Sequence, residues 1–121
     1  SALRTIYHLP CHSTGTKVPE IIKSILKATT DYQETESDLC CGGGGLFSFK
    51  YPELSHQIGQ ARLKSIEHIA KSRDDSKPYA LRSTLTVVTN CPGCMMQLEY
   101  LLSANNIKDV KVSHPVNLFQ T

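Results

Sequence analysis

Polar and apolar residues mix from Leu3 to Tyr7, where Leu3-Arg4-Thr5-Ile6-Tyr7 combines β-branched and aromatic residues in the two-residue rhythm of a strand. Pro10 ends regular pairing and Gly15 allows a turn, so Cys11 falls at the carboxyl end of this first strand. The rhythm then lengthens. Val18, Ile22, Ile25 and Thr29 share a helical stripe that Ile21 and Leu26 widen, with Lys23 and Lys27 on the polar side. A helix opening near Val18 or Pro19 keeps the proline in its first turn, where a missing N–H removes no helical hydrogen bond. From Thr30 to Asp38 the chain is polar and alternates weakly, leaving room for at most a short strand.

Pro52 opens a second helix whose apolar stripe is Leu54, Ile58, Ala61 and Ile69, with Ile66 beside it and an end near Lys71. His56 and His68 are read as surface positions on it. The segment from Arg73 to Pro78 is an exposed connector. Leu85-Thr86-Val87-Val88-Thr89 is the clearest strand of the chain. Asn90 is placed to cap the next helix, Pro92 suits its first turn, and Leu98, Leu101 and Leu102 form its buried side up to Asn105-Asn106. Val110-Lys111-Val112 makes a last strand before His114-Pro115-Val116. Strands alternating with helices in this order predict an α/β fold: a small, mostly parallel sheet with flanking helices.

The 121 residues, 40% of them hydrophobic, suit a single domain spanning residues 1–121. Thirteen Lys and Arg against eleven Asp and Glu leave a formal charge of +2, which makes no case for nucleic-acid binding. No apolar run approaches the roughly 18 residues of a membrane span, and no basic-then-apolar leader opens the chain. A cytoplasmic location is therefore expected. The start at Ser1 reads as a domain cut from something larger.

The chemistry lies in five cysteines, Cys11, Cys40, Cys41, Cys91 and Cys94. In open α/β sheets binding residues gather beyond the carboxyl ends of strands, and each cysteine group sits at such a connection. Cys91 and Cys94 fall on one side of a first helical turn, where amide donors stabilise thiolate charge. Alone, this CxxC fits a redox pair or half a zinc site equally well. Cys40-Cys41 runs into four glycines, Gly42 to Gly45, whose backbone can approach a bound group closely. The run lacks the GxGxxG context of a nucleotide loop. Five thiolates exceed the four of tetrahedral zinc and suit iron–sulfur chemistry; a zinc site using four of them, and a vicinal disulfide, stay open.

His8-Leu9-Pro10-Cys11-His12, Cys40-Cys41-Gly42 and Cys91-Pro92-Gly93-Cys94 together strongly resemble the cysteine-rich CCG domain family. That family occurs in heterodisulfide reductases and in iron–sulfur subunits of glycolate, lactate and glycerol-3-phosphate oxidising systems. Phe47 to Glu53, Thr89 to Leu98 and His114-Pro115-Val116 look like its lactate and glycolate branch. The resemblance implies a carboxyl-terminal copy of a domain that family members usually carry twice. It implies that Cys11, Cys40, Cys41, Cys91 and Cys94 ligate an iron–sulfur cluster, [4Fe–4S] and of non-cubane type. It further implies electron transfer beside a flavin-containing dehydrogenase subunit and additional iron–sulfur domains, in a quinone-linked complex at the inner face of the cytoplasmic membrane. Heterodisulfide reductase-type thiol chemistry and a structural zinc or disulfide-stabilised domain are the alternatives. His12 and His8 are candidates for hydrogen bonds to the cluster sulfurs, Phe47, Phe49 and Tyr51 for its shielding, and Lys50 for a partner contact. Met95 and Met96 are read as packing residues.

Overall fold

Four short strands pair side by side, and every pair is parallel. The computed structural model describes residues 3–10, 15–34, 50–71 and 84–118. Within them the elements are β1 (Arg4–Tyr7), α1 (Val18–Thr29), β2 (Asp31–Tyr32), α2 (Pro52–Lys71), β3 (Leu85–Val88), α3 (Pro92–Ala104), β4 (Val110–Ser113) and α4 (Pro115–Leu118). The sheet order is β2-β1-β3-β4. β1 and β3 therefore form the centre, with Arg4 opposite Leu85 and Tyr7 opposite Val88. The chain leaves β1 toward one edge and later returns to build toward the other. The sheet reverses its winding between these two strands, which is where α/β sheets place their ligands. The expected α/β class and parallel sheet are what the chain adopts, and the weak alternation after Thr30 does yield a strand, two residues long.

Side chains alternate across the sheet, and the two faces bury different helices. Ile6, Leu85, Val87 and Val110 pack with Leu63, Ile66 and Ile69 of α2 and Leu98, Leu101 and Leu102 of α3. On the other face Tyr7 and Val88 meet Leu26 of α1, with Ile22, Tyr32 and Leu118 at the margin. β3 is buried at all four positions, the apolar run expected of a central parallel strand. The Nη2 of Arg4 donates to the Ile69 carbonyl at 3.0 Å and fastens the start of β1 to the last turn of α2.

Two helical stripes differ from the sequence reading. In α1 only Pro19 and Leu26 are buried, while Val18, Ile21 and Ile25 are exposed, Ile21 by 56%. The sheet on that side ends in the two-residue β2, so α1 covers a narrow strip and much of its apolar face has nothing to meet. In α2 the buried stripe is Ser55, Gly59, Arg62, Leu63, Ile66, Ile69 and Ala70, and Leu54 and Ala61 lie outside. Small residues at 55 and 59 bring the helix close to the sheet there, and a fully buried arginine takes the next turn.

Lys23 of α1 donates a hydrogen bond to Glu34, beyond β2, at 2.8 Å. That bond holds the Glu34 carboxyl below the usual carboxylate range, against the opposing effect of partial burial. Its stabilisation is present above the ordinary carboxylate pKa and fades as pH falls through the lowered one. No helix among the described residues is long and apolar enough to cross a membrane.

The two burial patterns separate in urea. Ile66→Ala is expected to cost about 2–5 kcal/mol of unfolding free energy because its site is enclosed by helix and sheet. Ile21→Ala, on the open side of α1, is expected to stay within about 0.5 kcal/mol of the parent.

Candidate functional site

The carboxyl edge of the two central strands is built by main-chain bonds that continue past the strands themselves. The His8 amide donates to the Val88 carbonyl at 2.8 Å, and the Thr89 amide to the Ser113 carbonyl at 3.1 Å. His8 and Thr89 thus extend the β1–β3 register by one step. Pro10 follows His8 and is buried, as the expected break in pairing requires. From this edge the chain runs on one side toward Cys11 and on the other into Asn90-Cys91.

Cys91 is the residue before the first turn of α3, with extended backbone (φ −109°, ψ 116°), and its carbonyl accepts the Met95 amide at 3.0 Å. Pro92 takes the next position, where its ring preorganises the turn without losing a bond. The cap makes no side-chain hydrogen bond. The expectation that Asn90 caps α3 is therefore corrected: its carbonyl oxygen accepts the Tyr7 hydroxyl proton, tying the residue before Cys91 to the last residue of β1. Cys91 and Cys94 are both half-buried reduced thiols, with no disulfide between them. Gly93 lies between them, and a Cβ placed there would stand 3.7 Å from the Cys91 sulfur. Glycine leaves that side of the sulfur open. Cys94 also leans on the apolar cluster beneath α3.

Below the edge lies a pair that sequence reading missed. Arg62 of α2 is 0% exposed, and its Nε donates to Nδ1 of His8, itself 1% exposed, at 2.9 Å. Accepting at Nδ1 gives the neutral imidazole its proton on Nε2. His8, read from sequence as a candidate for hydrogen bonding to the cluster sulfurs, is thus held from behind by α2. The hydroxyl of Thr89 is buried and has no hydrogen-bond partner among the described residues. A four-residue periodicity through Ile58, Arg62 and Ile66 was the available signal, but arginine is counted as polar and so was not placed on the buried face.

Met96, read as a packing residue, is 74% exposed one residue beyond the half-buried Met95. His56 and His68 are exposed as expected. Cys11, Cys40 and Cys41 lie outside the described residues, as do His12, the glycine run, Phe47 and Phe49. Among the described residues no three His, Cys, Asp or Glu side chains converge as a metal site. A cleft of ≈ 530 Å³ lined by Leu102, Asn106, Ile107 and Val110 sits at the far end of α3, away from the thiols.

Fold and site define a parallel α/β domain that carries a thiol pair at the carboxyl edge of its central strands. The chain belongs to the cysteine-rich domain family named CCG, whose profile matches residues 5–99. It is 29% identical to lactate utilization protein A of Oceanobacillus iheyensis over 122 aligned residues, 98% of this chain and 44% of that protein. It is 26% identical to the protein of the same name from Shouchella clausii, over 92% of this chain and 42% of that one. A third, from Bacillus pumilus, is 26% identical over 86% of this chain and 43% of its own length. The chain spans less than half the length of these curated relatives. No solved structure gives a significant match.

The opening beside Cys91 is testable by alkylation under anaerobic, reducing conditions. Gly93→Ala is expected to fold at least as stably as the parent, since the added methyl makes ordinary contact and alanine is the better helix former. Gly93→Leu is expected to slow iodoacetamide labelling of Cys91 several-fold more than that of Cys94, read by peptide mass spectrometry.

Proposed function

We propose that this domain transfers electrons through an iron–sulfur cluster held by Cys11, Cys40, Cys41, Cys91 and Cys94, in a multi-component oxidoreductase acting on lactate, glycolate or a related 2-hydroxy acid. The observation that carries the reading is the place of Cys91 and Cys94. They are reduced, half-buried thiols on the first turn after the central strand β3, beside the strand that leads to Cys11. The family membership and the lactate utilization proteins among the relatives supply the substrate class.

The residues present fit such a group. Thiolates are the donors that select iron–sulfur clusters and zinc over hard cations. The unpartnered Thr89 hydroxyl is a buried donor directly before the Cys91 segment, of the kind that satisfies cluster sulfurs. When bound, the cluster supplies one-electron redox chemistry. The chain's own contribution is to fix the thiols on main-chain-bonded strand ends, with Asn90 pinned by Tyr7 and the α3 amide dipoles behind them. A flavin-containing dehydrogenase subunit would donate electrons, and additional iron–sulfur domains would pass them toward a quinone at the inner face of the cytoplasmic membrane. The carry-over of Cys40 and Cys41 rests on the motif.

Anaerobic purification or reconstitution should return iron and sulfide in equal amounts, about four of each per chain, with an EPR signal in one oxidation state. Cys91→Ser and Cys94→Ser should each lower retained iron by roughly half or more, and Cys40→Ser and Cys41→Ser likewise. Stoichiometric zinc without sulfide after anaerobic reconstitution would overturn the reading, and an unaltered cluster signal in the Cys40 and Cys41 variants would remove those two from the ligand set.

A further inference from the structure

Arg62 is the largest fully buried side chain described, and a guanidinium cannot shed its charge by deprotonating. Burying that charge is tolerated only where hydrogen bonds and negative charge surround it. Its nearest helical neighbours at three and four residues are Ile58, Gly59, Ser65 and Ile66, so α2 itself offers no carboxylate there. Its Nε is fixed on His8 at 2.9 Å, at the edge where β1 ends.

That edge is close to the sulfurs. Cys11 follows His8 by three residues and Cys91 follows Thr89 by two, at most about 10 Å and about 7 Å of extended chain. The segments that carry cysteine are also free of acid: no Asp or Glu occurs in residues 1–19, 39–52 or 76–98. All eleven carboxylates of the chain lie elsewhere. The anionic groups these three segments offer are their thiolates.

We infer that Arg62, seated on His8, is a buried cation that raises the reduction potential of the centre held by the cysteines. This rests on the iron–sulfur reading above. Reduction adds one electron, donated by a reduced flavin in the complex or by dithionite in a titration, and makes the centre one charge more negative without forming or breaking a bond. A positive charge on the order of 10 Å away in protein favours that added charge and opposes its loss. Arg62 acts through the field and through the fixed orientation of His8, as a positioning and tuning residue.

The test uses the reconstituted 121-residue chain and its reduction potential, followed by EPR, with iron and sulfide content and far-ultraviolet circular dichroism measured on each variant. Arg62→Gln keeps a donor for His8 and removes the charge; Arg62→Lys keeps the charge. The expected result is a potential lowered in Arg62→Gln by about tenfold in the reduction equilibrium, about 59 mV for one electron. Arg62→Lys should stay near the parent, and iron content should hold in both. Arg62→Met is the second neutral variant should Arg62→Gln not fold. A loaded, folded neutral variant with the parent's potential overturns the inference alone, as does an equal shift in Arg62→Lys. If neither neutral variant folds, the charge serves the fold and the inference is likewise overturned. A parent chain that binds no iron and sulfide overturns the cluster reading first and this inference with it.

Discussion

The parallel pairing of β1 with β3 joins two segments about eighty residues apart in the chain, from Arg4 against Leu85 to Tyr7 against Val88. Neither strand exceeds four residues, so each depends on the other and on the helices laid over both faces. Everything at the carboxyl edge inherits its position from this pairing. The amide bonds of His8 and Thr89 prolong it, Tyr7 reaches across it to Asn90, and Cys91 begins where it stops. Shifting the register by one residue would turn His8 and Thr89 to the opposite face and uncouple the edge from α2.

Two kinds of burial meet at that edge. Below it, Ile6, Val87, Ile66 and Leu98 form a closed apolar layer of the usual kind. Above it, the same face turns polar within one residue on each strand, at His8 and Thr89, and Arg62 enters from α2. A polar group costs little in such a place only when hydrogen bonds are complete, and leaving one unmet costs about 1–3 kcal/mol. The polar layer therefore departs from the arrangement that would stabilise an isolated fold best, and such departures concentrate at functional sites. The thiols stand directly over this layer rather than over the apolar one.

Much of the architecture was legible in the residues. The apolar run Leu85 to Val88, the Pro92 that opens α3 and the order of strands and helices were enough to place Cys91 and Cys94 at a strand end. Three features were not legible because they depend on what an element meets and not on its own pattern. The apolar stripe of α1 is real in sequence, yet the two-residue β2 gives Ile21 and Ile25 nothing to cover. Arg62 reads as a solvent-facing residue until the small Ser55 and Gly59 draw its turn against the sheet. Asn90 has the chemistry of a helix cap, but a tyrosine on a strand distant in sequence claims its oxygen first. Local propensity describes the candidates for each role, and long-range partners choose among them.

The separation of Cys11 from Cys91 along the chain has a thermodynamic side as well. An ion or cluster gripped by sulfurs from both segments would close a loop of about eighty residues, as a cross-link does. In the chain-entropy view such a closure withdraws conformations from the unfolded chain worth on the order of 4–5 kcal/mol. For a small domain whose central strands are four residues long, that is a sizeable share of the total stability such domains possess. The redox centre and the staple that holds the sheet shut would then be one object.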